Sequence, residues 1–137
     1  MNLLVKNNNL FANSSKLQCA IGRNGLTTNK KEGDLSTPIG IFKFNKIYYR
    51  ADKLGKIDFK IESSIIQKND GWCDDPESKL YNKHIQFPFN ESAEHLYRND
   101  YIYDIVCVIN YNTSPIMPNK GSAIFLHIAK PNFEGTE

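Results

Sequence analysis

A chain of 137 residues, 40% apolar and 23% charged, has the size and composition of one folded domain with a single core, which excludes a disordered tail. The formal net charge of +2 is small and no basic block carries interleaved aromatics, which argues for no nucleic-acid partner and gives no case for an anionic membrane surface. No apolar run is long enough to span a bilayer, and Met1 to Leu10 lacks the charged start and long apolar stretch of a signal peptide, so the protein is cytoplasmic or its export information lies elsewhere.

In chain order, Leu3 to Val5 and Leu17 to Ile21 read as short strands. Gly22 to Ser36 is a polar loop with Gly25 and Gly33 at turn positions. It leads into a strand from Thr37 to Phe44, where Pro38 suits the first position because a missing N–H costs little there. Ile47 to Tyr49 continues that strand past a bend. Ile57 to Ile61 and Ile65-Ile66 are weaker strands. Asp70 to Asn82 reads as a long irregular segment, a kind that often carries function. Ser92 to Tyr97 reads as a short helix, capped by Ser92 with Glu94 in its first turn. Tyr101 to Tyr111 is a continuous apolar, β-branched run, as in a strand covered on both faces. Asn112 to Lys120 is a loop, and Gly121 to Ala129 is a second core strand. The expectation is a mainly β, sandwich- or barrel-like single domain over residues 1–137 with one or two short helices. Asparagine is abundant and reads as compositional drift without functional meaning.

His127 stands near the end of a strongly apolar strand. Such a residue is either a hydrogen-bonded core histidine or a catalytic group at a strand end feeding a loop. Three cysteines, Cys19, Cys73 and Cys107, are too few and too far apart for a disulfide framework. Cys19 and Cys107 lie in apolar runs and read as small buried hydrophobes. Cys73 lies in the cluster Trp72-Cys73-Asp74-Asp75, where two carboxylates would raise a thiol pKa and oppose a nucleophilic role. Cys73, Asp74, Asp75 and His84 show no standard zinc spacing, which favours a loop whose aspartates bond to backbone N–H groups. Lys31-Glu32-Gly33-Asp34 reads as a solvated turn, and Gly22-Arg23-Asn24-Gly25 is too short for a phosphate loop.

Taken together, several blocks resemble one family. They are Cys19 to Gly25, Lys30 to Asp34 with Thr37 to Gly40, Asp70 to Pro76 with Tyr81-Asn82, Ser92 to Glu94, and Gly121 to His127. Their order is that of the L,D-transpeptidase (YkuD-like) catalytic domain, over about Leu17 to Glu137. The resemblance implies cysteine acyl transfer on peptidoglycan stem peptides, with neither cofactor nor metal. A thiolate attacks the carbonyl of the third stem residue and expels the terminal D-alanine; an amine on a second stem, or water, then takes the acyl group. His127 matches the histidine that deprotonates the cysteine. Thr136 and Glu137 match the residues just before the family's Gly-Cys pair, with Glu137 departing from the commoner histidine. The nucleophile is thus expected two residues after Glu137, and none of the three cysteines matches it. An end inside the motif suggests a truncated record or gene fragment, inactive as it stands; coding DNA that reads Gly-Cys past the Glu137 codon supports this, and a stop codon there refutes it.

For substrate contact, the charges of a stem peptide single out Asp74, Asp75 and Arg98, with Trp72 and Tyr81 as groove walls and Ser122 in support. Each of these is also open to a purely structural role. Two other functions stand beside the transpeptidase: a non-catalytic binder of stem peptides, and a cysteine hydrolase using Cys73 with His84, His95 or His127. The family acts on the cell envelope, whereas no export signal is visible.

Overall fold

A computed structural model describes residues 1–136; Glu137, which the resemblance aligns ahead of the expected nucleophile, lies outside them. The chain forms two compact units. One comprises residues 1–39 with the segment from Ala129 onward, and the other comprises Gly40–Ile128.

The first unit begins with an antiparallel meander of β1 (Leu3–Lys6), β2 (Asn9–Ala12) and β3 (Ser15–Gln18). Asn7 and Asn8 join β1 to β2 with φ of 50° and 57°, the double left-handed turn that matches strand twist in a tight hairpin. Two short strands, β4 (Leu26–Thr27) and β5 (Thr37–Pro38), pair in parallel. Between them the buried Lys30 ammonium bonds to the Asp34 carboxylate and the Lys31 carbonyl. Asp34 also accepts from the Lys31 and Ser36 N–H groups. The charged turn read from sequence is therefore partly buried and closed on itself. The two ends of the unit's sequence meet where Arg23 N–H donates to Thr136 O (2.9 Å) and Thr136 N–H donates to Ile21 O (3.0 Å).

The second unit holds two sheets. One has the order β12-β11-β6-β7, built from β6 (Phe44–Tyr49), β7 (Ser63–Ile65), β11 (Ile105–Ile109) and β12 (Phe125–His127). The other has the order β10-β8-β9, from β8 (Asp70–Cys73), β9 (His84–Gln86) and β10 (Ala93–His95). One four-residue helix, α1 (Ala51–Leu54), follows β6. Tyr48 and Val106 are cross-strand partners, as are Val106 and His127, so these three share a face. That face meets Trp72 of the second sheet, and the core is Tyr48, Ile66, Trp72, Leu96, Val106 and Val108. The mainly β expectation holds, with residues of both sheets sharing one core.

Several element readings are corrected. Ser92 to Tyr97 is not a helix. Ala93, Glu94 and His95 pair with Cys73, Trp72 and Gly71 as β10. Six residues cannot sustain a helix alone, and a strand partner supplies the hydrogen bonds instead. The supposedly irregular Asp70 to Asn82 opens with β8, the centre strand of its sheet, with all four residues buried. Between Tyr101 and Tyr111 only Ile105–Ile109 is strand, and burial alternates along it, so one face rather than both is fully covered. Residues 57–61 form no strand, and residues 39–43 interrupt the strand expected from Thr37. Asparagine also has a purpose: seven of the ten non-glycine residues with positive φ among the described residues are Asn. Its short polar side chain tolerates the left-handed region better than most.

Candidate active site

His127 is the last residue of β12, paired with Val106, and half-buried. Its Nδ1 lies 2.9 Å from the Ile128 carbonyl oxygen. A carbonyl only accepts, so Nδ1 carries the proton and Nε2 holds the lone pair of the neutral ring. This is the tautomer a general base needs, with Nε2 as the proton-accepting nitrogen.

The ring also meets Tyr103 edge to face, centroids 5.3 Å apart. The Tyr103 hydroxyl donates to Glu94 Oε2 at 2.7 Å. Burial, followed by the negative Glu94 carboxylate, pushes the Tyr103 phenol far up, so it remains a donor. Glu94 and Tyr103 are residues that sequence reasoning did not select for the site. Glu94 lay in the Ser92 to Glu94 block and was read as a helix first-turn residue. Tyr103 was one of three tyrosines in an apolar run, with no local feature to separate it.

The sequence-selected residues fall into three groups. Trp72 and Tyr81 are 6% and 3% exposed, so as side chains of the folded unit they are frame rather than open groove walls. Trp72 Nε1–H donates to Asn82 Oδ1 (2.9 Å), and Ala123 N–H donates to the same oxygen (3.0 Å). Tyr81 Oη accepts from Gly121 N–H (3.0 Å). These bonds, with the Trp72–Phe125 ring contact at 5.1 Å, hold the segment that runs into His127. Ser122, in the middle of that segment, is buried, with no hydrogen-bond partner for its hydroxyl among the described residues.

Asp74 and Asp75 form the second group. Asp75 accepts from Glu77 N–H and its carbonyl accepts from Ser78 N–H, which closes a turn at 75–78. Asp74 N–H donates to Ser92 O, and one of its carboxylate oxygens is enclosed with no partner among the described residues. Arg98 stands apart: it forms a two-bond pair with Asp100 at the surface (2.9 and 2.6 Å) and lies 5.2 Å over the Tyr103 ring. The Arg98 guanidinium lowers the Asp100 carboxyl below its usual range.

Cys73 is fully buried on the centre strand. His84 pairs with Trp72, so alternation turns it to the face opposite Cys73. His84 instead binds the buried Asp70 carboxylate (3.0 Å) and stacks on Tyr48, while His95 stacks on Phe87. This geometry weighs against a Cys73 nucleophile and against metal binding by Cys73 with His84. Among the described residues no three His, Cys, Asp or Glu side chains are grouped to hold a metal. Cys19 and Cys107, read as buried, are only half-buried, and Cys73 is the buried one; partial burial still pushes the Cys19 and Cys107 thiols up. A surface depression opens beside Tyr49, Ser64 and Ile65 at the β7 edge of the sheet, the edge opposite β12, and contains none of the sequence-selected residues.

Comparison with family models decides the affiliation: the model of the YkuD, or L,D-transpeptidase catalytic, domain matches residues 1–136. The chain belongs to the L,D-transpeptidase catalytic domain family. Comparison with curated proteins and with solved structures gives no match. The family acts on peptidoglycan peptides, and no helix among the described residues is long and apolar enough to cross a membrane.

Proposed function

We propose that this L,D-transpeptidase domain performs cysteine acyl transfer on peptidoglycan stem peptides with His127 as its general base. The observation that carries the reading is His127 at the end of β12 with its Nδ1 2.9 Å from the Ile128 carbonyl oxygen. Its Nε2 accepts the proton of a thiol, the one expected two residues past Glu137. The thiolate adds to the carbonyl carbon of the third stem residue, and the bond to the terminal D-alanine breaks. The proton held on Nε2 passes to the departing amine. The amine of a second stem then attacks the thioester, giving a cross-link and restoring the thiol; water in its place gives carboxypeptidase activity. The cell envelope is the proposed place of action.

The test uses protein expressed with the Gly-Cys continuation and incubated with a carbapenem. The expected result is one covalent adduct on the new cysteine, and a His127→Gln variant that acylates about a hundredfold or more slowly. An adduct on Cys73 would establish the hydrolase reading instead. Stem-peptide binding with neither adduct nor turnover would establish the non-catalytic binder.

A further inference from the structure

His127 occupies the terminal position of a three-residue edge strand. Its Nδ1 bond goes to the next residue's carbonyl, a contact within its own segment. A contact that ties the ring to another segment is the edge-to-face packing on Tyr103, at 5.3 Å between centroids and 75° between planes. Tyr103 lies outside any strand, in the turn before β11, and is itself held from three sides. Its hydroxyl is tied to Glu94, its ring meets Phe125 at 6.0 Å, and the Arg98 guanidinium covers it at 5.2 Å. Glu94 in turn is fixed by register, directly across from the buried Trp72.

We propose that Tyr103, anchored by Glu94, is the positioning residue that sets the orientation of the His127 imidazole, carrying the rigidity of the β10-β8-β9 sheet to the end of β12. The proposal rests on the reading of His127 as general base. It adds that two residues outside the acyl-transfer chemistry govern how well that base is aimed. Glu94 acts through Tyr103, and Tyr103 exchanges no proton with substrate. The Glu94 carboxylate accepts the phenolic hydrogen bond, which leaves the ring electron-rich on the side of an imidazole that becomes cationic during turnover.

The decisive measurement is the ¹⁵N spectrum of the His127 side chain in the 137-residue protein, at a pH where the ring is neutral. Wild type is expected to show the Nδ1–H tautomer. Tyr103→Leu removes the ring and is expected to shift His127 toward the tautomer mixture of a solvent-exposed histidine. Tyr103→Phe and Glu94→Ala keep the ring, cut the tether and should fall between. Glu94→Gln keeps an acceptor and should restore the wild-type spectrum. With the Gly-Cys continuation, Tyr103→Leu should lower kcat about ten- to a hundredfold while KM changes little, because misaiming costs rate rather than binding. A folded Tyr103→Leu protein with an unchanged His127 spectrum overturns the proposal. If that variant does not fold, unchanged spectra in both Tyr103→Phe and Glu94→Ala overturn it. Because the spectrum needs no nucleophile, a parent protein that fails to acylate refutes the general-base reading separately.

Discussion

Asn82 shows how one residue type can be both visible and misread. The pair Tyr81-Asn82 is prominent in the sequence, where the aromatic reads as a groove wall. In the fold the asparagine is the busier partner. Its carbonyl oxygen takes the Trp72 indole N–H and the Ala123 N–H, and its amide N–H reaches Asn112 O at 2.8 Å. It does so at φ of 56°, in the left-handed region. Removing the amide strands the buried Trp72 indole N–H and the partly buried Ala123 N–H, at roughly 1–3 kcal/mol for a buried donor. Asn82→Gly separates the two contributions, since glycine relaxes the backbone and loses the amide. We expect Asn82→Gly to lose about 3 kcal/mol in urea denaturation; a neutral Asn82→Gly would mean that asparagine is there for its φ alone. His127 was legible for a different reason: a polar residue in an apolar strand breaks a pattern. Tyr103 breaks none, so local sequence gives it no prominence.

At the scale of elements, local propensity failed where a neighbour decided the outcome. Ser92-Ala93-Glu94 has the composition of a helix start, and only the register against β8 makes it a strand. The reverse holds for α1, a single turn that sequence did not indicate. Four residues are far too short to be helical on their own strength. Contacts outside the turn hold it: Arg50 bonds to Asp52 at 2.8 and 2.7 Å and lies 3.6 Å over the Tyr97 ring, and Lys53 bonds to Asp104 at 2.8 Å. The hydrogen bonds from Arg50 hold the Asp52 carboxyl down at about 2. In an unfolded chain an aspartate titrates at about 3.9. A carboxyl lowered by folding contributes stability that is complete above the unfolded value and is lost as pH falls through the folded one. The window is therefore roughly pH 4 down to 2. Urea midpoints measured across it should fall for wild type, and should fall less steeply for Asp52→Asn. Parallel curves would show that the Arg50–Asp52 pair does not contribute to acid stability. Asp34 and Asp100 are also lowered, so Asp52→Asn flattens the dependence without abolishing it.

For the whole molecule, the class of fold and the family could be read from ordered blocks, because each block is local. What could not be read is which distant segments meet. The antiparallel pairing of β6 with β11 joins residues about sixty positions apart, and no pattern within either strand names the other. The first unit depends on a still longer connection. Gly22 bridges in parallel to Thr136, so residues from both ends of the chain close one structure. Gly22 itself has no room for a side chain, since an added Cβ would lie 2.5 Å from the Leu35 carbonyl oxygen. The resemblance pointed to Thr136 only as a motif neighbour of the nucleophile, whereas the fold gives it a second task as backbone partner of Ile21 and Arg23. A chain ending at Ala129 separates these tasks, because it removes the partner of the Arg23 amide and leaves the β1-β2-β3 meander intact in sequence. Hydrogen exchange at Arg23 should then speed up by about tenfold, the order expected for losing one backbone hydrogen bond, while amides paired between β1 and β2 keep their protection. If Arg23 stays protected, the Thr136 bridge does not close this unit in solution. If the meander loses protection as well, the bridge holds more of the unit than its two hydrogen bonds suggest.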